Sequence, residues 1–354
     1  MSTVKIRPLL LFFIALLLAS PASAGGEAGP ISLRDQGFFW VGVRKEKISI
    51  PGPGGAQEGT AIRDQMYVGF QLPKKKRHRY PLVLVHGGGA QSSDWMGTPD
   101  GRDGWLDYFL AAGFDVYFVD RPGFGRSPDT GGYGAAGTPP TIELIANLFT
   151  ARSRQYPGGG GVGTREVADH TASSEPGLTA TNAVLKENLA ELLDRIGPAI
   201  LVTHSAGGPS GWLALEARPG LVKGVLAIEP SGVSDDVAQL LRFSPALAPG
   251  GKLAAEQRPA ERDGLDPCSL QPEADIRTVP AFAGKKILFV GSPLSMFTPR
   301  IHCTVEQFVQ FGADAKLARL TDYGIEGNGH FMNEELNNGE IARKVFIPWL
   351  ASIK

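Results

Sequence analysis

Cysteine is scarce: only Cys268 and Cys303 occur in the 354 residues. Two thiols and scattered histidines supply no metal-ligand spacing, so no metal is expected. An excess of one charge is lacking too. The chain carries 35 Lys and Arg against 36 Asp and Glu, a formal charge of -1, without the basic footprint of a nucleic-acid binder. The one basic run, Lys74 to Arg79, reads as a solvated loop ahead of a strand. Neither G-x-x-x-x-G-K-[ST] nor a G-x-G-x-x-G opening a helix is present, which removes the nucleotide-cradling readings and leaves no cofactor to expect. Beyond the first residues no apolar run is long enough to form a stable membrane span.

The N-terminus has what the rest lacks. Lys5 and Arg7 precede an unbroken apolar run, Leu9 to Ala19, and Ala22-Ser23-Ala24 follows as a small-residue cleavage site. This is the pattern of a signal peptide over 1–24, with an uncleaved anchor as the alternative. The mature chain is expected to be secreted or periplasmic. In an oxidising compartment Cys268 and Cys303 are a disulfide candidate, with two free buried thiols as the other reading. A bond between them is worth about 3.5–4 kcal/mol on the chain-entropy model, less any strain.

From residue 25 onward, apolar runs and turn signals alternate in a βαβ rhythm, which predicts an α/β fold with a mostly parallel sheet flanked by helices. Strands are expected at 37–43 and 66–73 (an antiparallel opening pair with a turn-rich segment between), 80–89, within 115–128 (a strand followed by a turn), 199–204, 222–230, 285–293 and 315–324. Helices are expected at 104–114, 141–152, 180–197, 206–217 and 341–354. Two irregular stretches, about 128–180 and 231–282, interrupt this single domain. Long loops in a compact fold are usually functional, and both are read as insertions forming a lid and pocket walls.

Ligands of open parallel sheets bind at the carboxyl ends of the strands, and polar residues gather there. "LVTHSAGG" (201–208) ends a strand on Ser205. A serine there is a nucleophile candidate on a sharp strand-to-helix turn, and equally a helix cap. His330, flanked by Gly327 and Gly329, is the candidate base that would deprotonate it. The turn after 285–291 reads Ser292-Pro293-Leu294-Ser295 and holds no carboxylate. The preceding strand ends in Glu229, and a carboxylate closing an apolar strand requires a partner. Glu229 is therefore the candidate acid, with Asp235, Asp236 and Glu306 in reserve. "HGGG" (86–89) offers Gly88 or Gly89, and Ala206 follows the serine at a helix N-terminus; together these are the candidate oxyanion hole. Phe124, Trp212 and Phe331 are candidate pocket residues, with Tyr133, Leu148, Phe149, Met296 and Phe297 behind them.

These residues together resemble the α/β-hydrolase superfamily, whose order of nucleophile, acid and base matches Ser205, Glu229 and His330. "HGGG" resembles its oxyanion loop and "DRPGFGRS" (120–127) its D-x-x-G-x-G-x-S turn. The chain is also similar to a small group of secreted bacterial serine esterases, through "LRDQGFFWVG" (33–42), "TPDGRDGW" (98–105) and "FMNEELNN" after the histidine. That resemblance implies a carboxylic ester hydrolase with a Ser–Glu–His triad and a small-molecule ester substrate. Some of its members carry cysteines where this chain has Gly88 and Gly89, so no disulfide role transfers there. Thr203 stands where the usual elbow has glycine. Lactone, amide or carbon–carbon bond hydrolysis, or a non-catalytic binding role, are the other readings of such a fold. The oligomeric state is left open, a homodimer included.

Overall fold

The structure, a computed structural model, describes residues 27–129, 133, 137–176 and 182–354. The leader read at 1–24 lies outside the described residues, as does part of the 128–180 insertion. Among the described residues no helix is long and apolar enough to cross a membrane.

The strands are β1 (Leu33–Val41), β2 (Arg44–Gly52), β3 (Gly55–Arg63), β4 (Met66–Pro73), β5 (Leu82–Val85), β6 (Val116–Asp120), β7 (Ala199–His204), β8 (Val222–Ile228), β9 (Glu256–Arg258), β10 (Cys268–Leu270), β11 (Lys286–Gly291) and β12 (Asp314–Arg319). Eight of them form one sheet in the order β1-β4-β6-β5-β7-β8-β11-β12. The opening pair, β1 and β4, is antiparallel, and β4 joins β6 antiparallel. From β6 to β12 every neighbouring pair is parallel. This is the mostly parallel α/β sheet that the alternating apolar runs predict, and it is in keeping with the fold that the resemblance to α/β hydrolases implies.

Central strands read as continuous apolar runs because both faces are covered. All of β5 and β7 is buried. On one face Leu201, Val225 and Phe289 pack with helices Asn182–Ile196, Gly208–Ala217 and Ile301–Gln310. On the other, Leu84, Val202 and Leu226 pack against helix Trp105–Ala112 and the C-terminal helices. There the Trp105 and Phe346 rings meet edge to face at 4.7 Å. Each fully buried Leu, Val or Phe contributes roughly 1.5–3 kcal/mol over its exposed state, so these layers hold the sheet edge rigid.

Three local readings change. The turn-rich segment between the opening strands is mostly strand: β2 and β3 form a hairpin, and only Gly52 to Gly55 turns. Its sequence hides this because most of its side chains face solvent, leaving no buried face to impose an alternation. The 128–180 insertion contains, besides the expected helix at Ile142–Thr150, a further helix at Arg165–Ser173. The 231–282 stretch contributes no residue to the cleft described below. Leu241, Phe243, Val279 and Phe282 instead join the core beside Phe308 and Phe311, because burying them there removes more apolar surface from water than a solvated rim would. A disulfide between Cys268 and Cys303 joins β10 to helix Ile301–Gln310. The basic run is a loop before β5, braced by Lys76 on Asp115 at 2.8 Å and by the His78 ring on Phe114 at 3.7 Å.

Candidate active site

Ser205 sits where β7 turns into the following helix, with a backbone φ of 51°. Left-handed backbone at a non-glycine residue is strained and persists only where the surroundings over-determine it. Here the surroundings are the small residues that follow. A Cβ on Gly207 would lie 2.3 Å from the His86 carbonyl oxygen, and one on Gly208 would lie 2.5 Å from Pro230 Cβ. The turn is therefore packed tightly against the neighbouring strand ends. The Ser205 side chain caps no helix, so of its two expected roles the cap is not seen. Its Oγ lies 2.9 Å from His330 Nε2 instead. Thr203 fits in place of glycine, but its Oγ1 is buried without a hydrogen-bond partner among the described residues, so it forms no local side-chain bond.

Glu229 follows β8 directly and has a φ of 40°. The carboxylate is buried, with Oε2 2.6 Å from His330 Nδ1. Its Oε1 accepts from the Ser292 amide at 2.8 Å and the Ser292 hydroxyl at 2.7 Å. The turn after β11, which holds no acid, thus supplies the donors that satisfy the acid of the strand beside it. In the sequence, Ser292 registers only as a missing carboxylate. Asp235 pairs with Lys252 and Asp236 accepts from Asn182 and Ser234; these reserve acids stand outside the site.

The loop carrying His330 is held from beneath. Buried Glu335 accepts from the Gly329 amide at 2.6 Å and from the Asn328 side chain. Burial pushes this carboxyl up to about 7, against the pull of these donors. Arg102 donates to the Glu334 carbonyl at 2.7 Å and the Glu335 carbonyl at 3.0 Å, and Trp105 Nε1 donates to the Asn338 carbonyl at 3.0 Å. "TPDGRDGW" and "FMNEELNN" therefore interlock, and their joint product is the position of the histidine. Buried His204 reaches the His330 carbonyl at 3.1 Å. Burial and the adjacent His330 hold His204 well below the ordinary histidine range, so it is neutral and donates there.

The glycine loop faces the serine turn. A Cβ on Gly88 would come within 3.1 Å of Ala206 Cβ, and one on Gly87 within 3.2 Å of Ser205 Cβ. Gly89 has a φ of 65°, a conformation glycine adopts at little cost. Arg121 Nη2 donates to the Gly87 carbonyl at 2.6 Å, and the Arg121 amide donates to His86 Nε2 at 2.9 Å. Burial, then the nearby Arg121, lowers His86 to about 3, which keeps it neutral and able to accept. His86 and Arg121 are loop braces.

A cleft of about 270 Å³ opens over the serine, bordered by Gly87 to Ala90, Ser205, His330, and by Phe149 and Phe331. Phe331 is thus on the wall of the cleft. Trp212 and Phe124 are not. Trp212 is fully buried against Phe308 at 4.2 Å between ring centres, because every side of its helix is covered by sheet or helix. Phe124 lies under the Arg121 guanidinium at 4.6 Å and beside His86, bracing the loop. The inserted helices also border the cleft through Ile145 and His170, the latter unrecognised in the sequence. Segment 173–175 is tied to the glycine loop: Glu175 N–H donates to the Gly89 carbonyl at 2.7 Å, and Gln91 Nε2 to the Ser173 carbonyl at 3.0 Å.

Comparison with known proteins agrees with this architecture. The model of an "alpha/beta hydrolase family" matches residues 82–344. A "probable secreted lipase phiG" of Fungal sp. (strain ATCC 74256) is 33% identical over 350 residues, covering 88% of each chain. A solved structure described as a novel bacterial esterase superimposes with a TM-score of 0.69 at 21% identity, over 93% of this chain and 98% of that one. The matched residues cover the parallel strands of the sheet from β5 to β12, the serine turn and the histidine loop, and this chain belongs to the α/β-hydrolase family.

Proposed function

We propose that the protein cleaves carboxylic esters by two-step acyl transfer through Ser205. The observation that carries this reading is the continuous chain from Ser205 Oγ to His330 at 2.9 Å and from His330 to Glu229 at 2.6 Å. With Nδ1–H donating to Glu229, His330 Nε2 has a lone pair free for the serine proton. Oγ then attacks the ester carbonyl carbon. The carbonyl oxygen becomes an oxyanion that the amides of Ala206 and of Gly88 or Gly89 would receive, next to a helix N-terminus whose dipole favours negative charge. His330 returns the proton to the departing alcohol oxygen. Water, deprotonated by the same imidazole, releases the acid. No cofactor is required.

The lipase relative favours an ester bond as the target. Secretion is supported by that relative's description and by the leader pattern at 1–24. Ser205→Ala is expected to lower hydrolysis of p-nitrophenyl butyrate by about 10⁴-fold or more with an unchanged circular dichroism spectrum. A fluorophosphonate should label the native protein at Ser205. Activity that survives in Ser205→Ala sinks the reading.

A further inference from the structure

Acyl transfer uses Ser205, His330, Glu229 and the loop amides, and leaves a second imidazole on the same cleft without a task. His170, on the inserted helix Arg165–Ser173, is buried. Its Nδ1 lies 2.7 Å from Glu334 Oε1, and Glu334 Oε2 accepts from the Tyr156 hydroxyl at 2.9 Å. The Phe331 ring covers it at 4.5 Å. The imidazole is thus fixed in orientation, with hydrogen on Nδ1. The other nitrogen, Nε2, has no hydrogen-bond partner among the described residues, and His170 borders the cleft that Ser205 and His330 also line.

Asp94, in the short turn after the glycine loop, borders that cleft as well, near enough for its charge to act on His170. Burial lowers the His170 pKa, but the charge and hydrogen bond of Glu334, together with the charge of Asp94, outweigh this and raise it to about 9. At neutral pH Nε2 therefore carries hydrogen. Burial and the charge of Glu334 push Asp94 up to about 7.

A buried ion pair adds little stability relative to apolar residues of the same volume. A pocket for a plain alkyl chain has no use for one. Pro140, Leu144, Ile145, Phe149 and Phe331 give the cleft an apolar wall. Of its other polar side chains outside the triad, Glu175 accepts from the Gly125 amide at 2.7 Å, Ser174 donates to the His170 carbonyl at 3.3 Å and His204 to the His330 carbonyl at 3.1 Å, so each is already engaged. The cleft volume of about 270 Å³ falls just below the span typical of drug-sized ligands, which suits a short ester.

We propose that His170 and Asp94 form a specificity subsite that recognises a hydroxyl group on a short ester substrate, His170 Nε2–H donating to the hydroxyl oxygen and the hydroxyl donating to the Asp94 carboxylate. The subsite rests on the ester-hydrolase reading and deepens it. A site built to bond a hydroxyl discriminates strongly against the analogue lacking it, since its polar groups are then left unpaired.

The test compares matched esters: p-nitrophenyl 3-hydroxybutyrate with p-nitrophenyl butyrate for the acid side, and 2-hydroxyethyl butyrate with ethyl butyrate for the alcohol side. In at least one pair the native protein should favour the hydroxylated ester by about tenfold or more in kcat/KM. Removing the imidazole alone leaves Glu334 buried without its cation, which can unfold the wall. The double variant His170→Leu/Glu334→Leu therefore carries the comparison, and its preference should fall to about threefold or less. His170→Gln, which keeps an N–H donor near the Nε2 position, should retain part of it. Equal rates within both pairs, or a preference that survives the double variant, overturn the subsite. If the native protein hydrolyses none of the four esters, the ester reading itself fails. Binding of the same pairs to Ser205→Ala, followed by NMR titration with and without the His170 and Glu334 substitutions, still decides the subsite: tighter binding of a hydroxylated ester that depends on His170 supports it, and its absence overturns it.

Discussion

The sheet edge and the inserted segment meet across one cleft and hold their residues by different means. Ser205 and Glu229 stand on strand ends at φ 51° and 40°, locked by the main chain: Ser231 N–H donates to the Ser205 carbonyl at 2.8 Å and Glu229 N–H to the Val290 carbonyl at 3.0 Å. Their positions follow from the ladder of β7, β8 and β11. His170 and Phe149 stand instead on short inserted helices, and His170 is oriented by side chains, Glu334 and Tyr156. Geometry built on a covered parallel sheet resists change, whereas a side-chain network can be rewritten one residue at a time. The difference places the proposed chemistry on the rigid half and the proposed selectivity on the adaptable half.

Three measurements break or sharpen this contrast. The largest effect is expected from Glu229→Gln. The amide must turn its NH2 toward either His330 Nδ1–H or the Ser292 donors, so the imidazole loses its tautomer or its anchor. A fall in kcat of about 10³–10⁴ is expected, with the fold unchanged. A fall of less than about tenfold would mean that the sheet edge does not orient the base.

A smaller effect is expected from Glu335→Gln. This carboxyl touches neither Ser205 nor His330, but both its oxygens accept from the loop that carries the histidine. Gln can satisfy only one of the two donors. Kcat should fall by about tenfold, the scale of one lost buried hydrogen bond, with KM unchanged and the fluorophosphonate labelling rate falling in step. A change in KM alone would make Glu335 part of the cleft wall rather than a positioning residue.

The smallest effect belongs to the inserted side and appears in stability. His170 is raised to about 9 in the folded chain from its ordinary 6.5. The stabilisation by its ion pair is therefore complete below about 6.5 and is lost as pH rises through 9. The melting temperature should decline over that window, and His170→Leu/Glu334→Leu should remove that part of the decline. Thermal melts at closely spaced pH values measure it. An unchanged decline in the double variant would show that the inserted wall is not held by this pair.

Much of this site is legible in the sequence. Ser205, Glu229 and Gly88 each follow an apolar run, and His330 lies between two glycines; both are local signals of a strand end or a tight loop. Trp212 and Phe124 are not placed by such signals, because nearness to a motif says nothing about which way a ring points. Trp212 lies on a helix buried all round, so no periodicity marks a pocket side. His170 is, along the chain, a histidine in an irregular stretch. Its partner, Glu334, stands 164 positions away, inside a motif whose only sequence-level value is its resemblance. The role of Ser292 is hidden for the same reason, since its partner Glu229 is 63 positions distant.

Taken alone, the amino-acid order determined the parallel sheet, the strand ends and the residue types that occupy them, because burial periodicity and backbone punctuation act over a few neighbouring residues. Which carboxylate faces His330, which aromatic rings border the cleft and which acid holds His170 were decided only by the tertiary structure. Those pairings join side chains far apart along the chain, and only the packing of layers brings their atoms within bonding distance.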